Sequence, residues 1–298
     1  MAQQPNRGTP QGGPPPSGGP FALAHYHRFY EAPPAEDVDG ARTWYARGQV
    51  MVIAYSEASP GAALERATQD DEYGVLLPDP QATAVIEAAG ESATIDGFSL
   101  TFVPPGASAV RLPAGGRVVR LFTASADLVH RCPGGWEDNP RIPPLRPWPA
   151  PSGGARIRSY SLATERAEDC FGRIFRGSTF MVNYVEPSPG PRDPTKLSPH
   201  HHEDFEQCSL ALEGEFVHHL RWPWTPNRNH WREDEHVPCG SPSVAIIPPP
   251  AIHTTEATGA ALNVLVDAFC PPRMDFSLRP GWVLNADDYP LPDTSGVA

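Results

Sequence analysis

His200 and His202 stand two residues apart, Gln207 follows five after the second, and Gly214 comes seven after that. Residues two apart on a β-strand share a face, so the two imidazoles can aim at one point. Gln207 opens an apolar run, Cys208-Ser209-Leu210-Ala211-Leu212, and Gly214 ends it where a turn is needed. Further on, Ile246-Ile247-Pro248-Pro249-Pro250-Ala251-Ile252-His253 reads as a buried strand, a rigid proline turn and a histidine opening the next strand. Three imidazoles and an oxygen donor converging inside a barrel would hold one divalent transition metal per chain (Fe, Mn, Zn or Ni) and leave coordination positions open.

The oxygen donor is Gln207 or, as the alternative, Glu206. Strand alternation turns one of the two away whenever the other faces inward. A neutral amide leaves the metal its full 2+ charge, which strengthens it as a Lewis acid toward a carbonyl or carboxylate. His201 points to the opposite strand face from its neighbours, as an outer residue.

Together these residues resemble the two motifs of the cupin superfamily, H-x-H-x4-E-x6-G and P-x-G-x2-H-x3-N. Here they read His200-x-His202-x4-Gln207-x6-Gly214 and Pro248-x-Pro250-x2-His253-x3-Ala257. Pro250 stands where the family has glycine and cannot adopt positive φ, so that turn must differ in type. The resemblance implies an all-β fold of double-stranded β-helix, jelly-roll-like barrels. The first half echoes the pattern without its ligands. Aligning Glu72 with the acid position puts Glu65 and Ala67 in the histidine places, and Pro104-x-Gly106-x2-Ala109 ends in alanine. The expected organisation is therefore a bicupin: a disordered tail over 1–20, a metal-free barrel and strap over 21–148, and a metal-binding barrel over 149–298.

Stepping outward, 298 residues supply ample core, and 38 prolines with 26 glycines punctuate short apolar runs as many strands would be punctuated. Strands are expected at 44–45, 50–55, 73–77, 83–86, 99–103 and 117–122. In the second half they are expected at 171–175, 179–185, 215–222, 243–247 and 261–269. Residues 21–30 should form an edge strand across a barrel, with the His25-x-His27 pair part of an ordinary aromatic strand. The proline-rich stretch 130–154, with Trp136 and Trp148, reads as a strap, and 270–298 as an outer wrap.

A net charge of −12 and the lack of a dense Lys/Arg cluster argue against a nucleic-acid partner. No apolar run reaches about 18 residues, so no membrane span is expected, and the N-terminus lacks a signal-peptide pattern. Five scattered cysteines, none in a C-x2-C pair, point to a reducing cytoplasm.

Arg173, Arg176, Tyr184, His219 and Arg221 lie on strands near the motif. Of these, Tyr184, His219 and Arg221 are the candidates to hold a carboxylate or donate a proton. Trp222, Trp224 and Trp231 could line a pocket for a ring. The substrate expected is a small anionic or aromatic molecule. The leading reading is non-redox Lewis-acid chemistry on a small oxygen-rich (oxo)acid, of isomerase, lyase or hydratase type. The resemblance also admits an iron-dependent ring- or diketone-cleaving dioxygenase, a non-catalytic binding protein, and a homodimer.

Overall fold

A computed structural model describes residues 21–134 and 138–293. The tail over 1–20, Trp136 of the strap and the last five residues lie outside them. Among the described residues nearly all regular structure is antiparallel strand, as the short punctuated runs require. No helix there is long and apolar enough to cross a membrane.

Two barrels are built from four sheets. In the first half, a seven-stranded sheet runs Arg158–Ser161, Ser99–Val103, Tyr73–Leu77, Gly116–Thr123, Met51–Ala58, Ala41–Arg47, Glu36–Val38. It faces a four-stranded sheet of Ala62–Arg66, Ser108–Leu112, Thr83–Ala88 and Glu91–Asp96. In the second half, a six-stranded sheet runs His25–Arg28, Ser243–Ile247, Glu206–Glu213, Val264–Cys270, Met181–Val185, Gly172–Arg176. Its partner is a three-stranded sheet of Glu235–Cys239, Phe216–Arg221 and Ile252–Ala257.

Each half lends a strand to the other. His25–Arg28 forms the expected edge strand, pairing with Ser243–Ile247 of the second barrel, and Tyr26 donates to Glu235 at 2.8 Å. Arg158–Ser161 returns the exchange by pairing with Ser99–Val103.

Strand alternation sorts the core. On Gly116–Thr123, Val119 and Leu121 join a cluster that spans both halves with Leu76, Phe102, Phe180, Leu210, Val266 and Ala268. Val118 and Phe122 of the same strand face into the first barrel, whose interior is one apolar cluster with Tyr45, Tyr73, Val75 and Leu77. The second barrel carries only small clusters around a polar centre. The outer wrap contributes a short helix, Met274–Ser277, and buries Trp282 and Tyr289.

Gly214 ends its strand with φ +90, and a Cβ there would collide with the Asn263 side chain. Only glycine serves at that corner.

Candidate metal centre

The imidazoles come together without the strand expected for them: His200 makes an isolated bridge to His253, and His202 lies in the loop before Glu206–Glu213. His200 and His253 pair backbone to backbone, with N–H to O distances of 3.0 and 2.7 Å, and their ring centroids lie 4.4 Å apart. The His202 ring is 5.1 Å from that of His253 and stacks on Phe205 at 4.1 Å. Gln207 Oε1 lies 3.2 Å from His253 Nε2. The turn ahead of His253 contains a cis Pro249–Pro250 bond, whereas the matching turn of the first half has Gly106 at φ +110.

Hydrogen bonds fix the chemistry of each donor. His200 Nδ1 lies 3.0 Å from Ser198 O, and His253 Nδ1 lies 2.8 Å from Ala251 O. A carbonyl can only accept, so in each neutral ring Nδ1 carries the proton and Nε2 the lone pair. Gln207 Nε2 donates to Ser209 Oγ at 3.0 Å and Asp267 Oδ1 at 3.3 Å, and Ser209 Oγ donates to Asp267 at 2.6 Å. With its amide nitrogen committed to that carboxylate, Gln207 must present Oε1 to His253. Two acceptor lone pairs then face each other across 3.2 Å, an arrangement that an interposed cation satisfies.

His202 reinforces this. It is 6 % exposed, and neither ring nitrogen has a hydrogen-bond partner. Burial, then the charges of His253 and Arg273, hold its pKa well below the usual imidazole range, so it stays a neutral donor. The donor chemistry is that of a divalent-metal site, but among the described residues no three His, Cys, Asp or Glu side chains stand close enough together to hold an ion.

Glu206 faces the other way. Its carboxylate accepts from the backbone N–H of Gln49 at 2.7 Å and Val50 at 3.4 Å, in the first half of the chain. Burial there raises its pKa to about 7.

The three candidates for substrate chemistry are not brought to the imidazoles. Tyr184 is buried in the core that joins the halves, edge-on to Phe98 at 5.3 Å, with its pKa pushed up to about 12 by burial. His219 contacts His236 at 2.7 Å and Glu256 at 3.0 Å, and Arg221 pairs with Asp234 on the surface. The reason is register: Leu220 is the residue opposite His253, so His219 and Arg221 fall on the other face. His218 takes the inner face instead. It is buried with Nε2 unpartnered, and burial lowers its pKa to about 3. Arg173 pairs with Glu186, Arg176 bonds Tyr289 O, and Trp224 and Trp231 stack on each other at the surface.

Sequence reading missed Ser209, Asp267 and Arg273. A narrow cavity beside the imidazoles is lined by His200, Gln207, Asp267, Arg273 and the rings of Phe171, Phe269 and Phe276. Arg273 lies over Phe276 at 3.5 Å and over Phe205 and Phe269 at 5.0 Å, and pairs with Asp275 at 2.6 Å. An aspartate on the inward parity of an apolar run was the one available signal. Arg273 follows two prolines and belongs to no periodic pattern.

Register also refines the echo in the first half. Gln207 pairs with Ile247 and Phe269, and Ser209 with Asp267. In the first barrel Tyr73 pairs with Val103, and Arg120 with Val75. Tyr73 therefore occupies the place of Gln207, and Glu72 that of Glu206, one residue from the alignment read in the sequence. Ala109 pairs with Glu65 as His253 does with His200.

No protein-family profile and no curated protein matches the sequence. Solved structures match in fold. A variant of Bacillus subtilis oxalate decarboxylase superposes with a TM-score of 0.57 at 13% identity, over 89% of this chain and 83% of that one. The formate complex of Lactobacillus farciminis oxalate decarboxylase gives 0.57 at 14%, over 86% and 88%. AerE from Microcystis aeruginosa gives 0.54 at 10%, over 84% and 97%. The fold is thus all-β, with two cupin-type barrels in one chain.

Proposed function

We propose that the chain is a metal-dependent enzyme whose second barrel acts on a small oxygen-rich acid by non-redox Lewis-acid chemistry. Loss of a carboxylate is the reaction type favoured within that class. The observation that carries the reading is the pair of facing lone pairs on Gln207 Oε1 and His253 Nε2, beside a cavity that Arg273 also lines.

His200, His202, His253 and Gln207 would hold the cation, which when bound polarises a carbonyl or carboxylate oxygen. Asp267 and Ser209 keep the Gln207 oxygen turned toward it, while Ser198 O and Ala251 O hold two imidazoles in one tautomer. Arg273, whose Nε and Nη2 donate to Asp275 at 3.0 and 2.6 Å, would offer Nη1 to a substrate carboxylate as a charge-assisted donor. Phe171, Phe269 and Phe276 wall the cavity against water, which strengthens each charge inside it. The fold's likeness to structures named as oxalate decarboxylases supports oxalate and short oxo-acids as first substrates to try.

The test joins metal analysis of protein purified without added metal to assays of carbon dioxide release and oxygen uptake. The expected result is a divalent metal, substrate loss without oxygen uptake, and an Arg273→Met variant that keeps its metal. That variant should show KM raised about 10- to 100-fold, the loss of a charge-assisted hydrogen bond. Activity tied to oxygen uptake would replace this reading with the dioxygenase. Metal binding that survives removal of His200 and His202 would overturn it.

A further inference from the structure

The tryptophans that the candidate metal centre does not use make a surface of their own. Trp224 and Trp231 stack face to face, with ring centroids 4.5 Å apart and planes 5° from parallel. Trp224 is 71 % exposed and Trp231 40 %. Both line an open cleft with Trp222, Arg228, Arg232 and Ile252, which shares no lining residue with the cavity beside the imidazoles. Indoles bury a large area when covered, and an apolar patch left facing water in this way marks an interaction site. Trp231 Nε1 donates to Thr225 O at 2.8 Å, whereas Trp224 Nε1 has no partner among the described residues and can donate to a ligand carbonyl.

The chain itself arrives at this cleft. Phe21, the first of the described residues, is 1 % exposed and packs with Leu220, Trp222 and Ile247. Its carbonyl accepts from Arg232 Nη2 at 2.6 Å, and that of Ala22 from Trp222 Nε1 at 3.3 Å. Both donors line the cleft, and the Arg232 guanidinium lies over the Trp222 ring at 5.6 Å. The sequence that precedes Phe21 is therefore tethered at the cleft's rim.

That sequence suits the platform. It has prolines at 5, 10, 14, 15, 16 and 20, a single charged side chain, Arg7, and no aromatic ring. Each proline fixes φ near about −65° and lacks a donor N–H, so three in a row favour a polyproline II ridge with its carbonyls open to donors. Such a ridge gives up little conformational entropy on docking and is bound by grooves lined with aromatic rings. Pro16 stands five residues before Phe21, a reach of about 15 Å at about 3.1 Å per residue. That reach is of the size needed to pass from Arg232 to its neighbour Trp231 and the ring stacked on it.

We infer that Pro14-Pro15-Pro16 of the N-terminal tail dock on the Trp224–Trp231 pair, with Trp224 Nε1 donating to one of their carbonyls. The contact is apolar, lies within one chain, and is independent of the reaction proposed for the second barrel.

The test is hydroxyl-radical footprinting of the full chain, read by mass spectrometry at Trp224 and Trp231. The comparison is a full-length variant carrying Pro14→Ser, Pro15→Ser and Pro16→Ser, with the exposed Leu278 as internal reference. A short tether supplies an effective concentration of about 1 mM, so a contact with a Kd of about 0.1 mM is formed about nine-tenths of the time. Oxidation of Trp224 should therefore be at least about threefold slower in the wild type than in the triple variant, with Leu278 unchanged. A free peptide of residues 1–20 should restore protection to the triple variant in a saturable way, and dilution should leave the wild-type protection intact. Equal oxidation of Trp224 in the two chains would overturn the inference, whether both are open or both are covered by another ligand. So would protection that fades on dilution, which assigns the cover to a second copy of the chain.

Discussion

Replacing Gln207 by glutamate separates what an amide does here from what a carboxylate would do. Gln207 Nε2 donates to Asp267 Oδ1 at 3.3 Å, so the variant places a second carboxylate where an amide proton stood. At an effective dielectric of about 20, two full charges at that separation repel by about 5 kcal/mol. Keeping one carboxyl protonated at pH 7 is the easier route and costs about 4 kcal/mol against a glutamate pKa of about 4.3. Metal-free Gln207→Glu should therefore lose about 4 kcal/mol at pH 7, roughly 8 °C or more in melting midpoint. The new carboxyl has a folded pKa above its unfolded value. The penalty is thus absent below about pH 4.3 and grows as pH rises toward the folded pKa. A divalent cation reverses the order, because the added charge becomes an anionic ligand, so the variant should gain more from manganese or zinc than the wild type does. Melting curves in chelator and in metal between pH 4.5 and 8 measure both effects, and adding Asp267→Asn should restore the chelated stability. A chelated variant that melts with the wild type at pH 7 would refute the hydrogen-bond assignment and the lone-pair argument with it.

Three further outcomes follow from single residues. His202→Leu should raise stability in chelator by about 1–2 kcal/mol, since it removes a buried ring with both nitrogens unpartnered, and it should abolish metal-dependent stabilisation. If it is instead strongly destabilising without metal, His202 has a structural partner. Burial, with His25 beside it, lowers the His27 pKa to about 4. The folded state therefore binds fewer protons between pH 6.5 and 4, and stability falls as pH drops through that window, by up to about 3 kcal/mol. His27→Phe should flatten that fall in urea midpoints compared at pH 7 and 4.5, and an unchanged slope would assign the acid lability elsewhere. Gly48→Ala would push a Cβ into the Glu206 carboxylate and should cost about 1–3 kcal/mol in denaturant unfolding. No loss would mean the carboxylate is not held as described.

Legibility in the sequence followed hydrophobic contrast. The runs at Tyr73–Leu77, Ser99–Val103 and Ser243–Ile247, buried on both faces, have the limits their apolar residues suggest. Glu91–Asp96, Arg158–Ser161 and Glu235–Cys239 escaped, because their side chains are largely polar and they sit at sheet edges. Inside the proposed site, alternation along one strand turns Glu206 and Gln207 to opposite faces, but His202 lies in the loop ahead of that strand, where parity says nothing. Parity between strands was not legible either, because only the pairing of Leu220 with His253 tells that His218 faces in and His219 out. The same limit displaced the echo in the first half. The connection from Ala67 to Tyr73 is one residue longer than that from His202 to Gln207, and composition carries no trace of it.

The reciprocal contacts between the halves explain why a barrel without imidazoles still bears on the site. Glu206 and Gln207 are adjacent and point to opposite faces, so whatever fixes one fixes the other. Glu206 is held by the backbone of Gln49 and Val50, where Gly48 leaves space for its carboxylate. Its counterpart Glu72 accepts from Ser178 in the second half and from Tyr289 of the wrap, beside Gly177. Each barrel thus inserts one carboxylate into a turn of the other, in a shared core that excludes water from both. The first barrel acts as the rigid wall against which the Gln207 strand is registered. Loosening it at Gly48 should therefore weaken metal binding as well as stability, with every candidate ligand left in place.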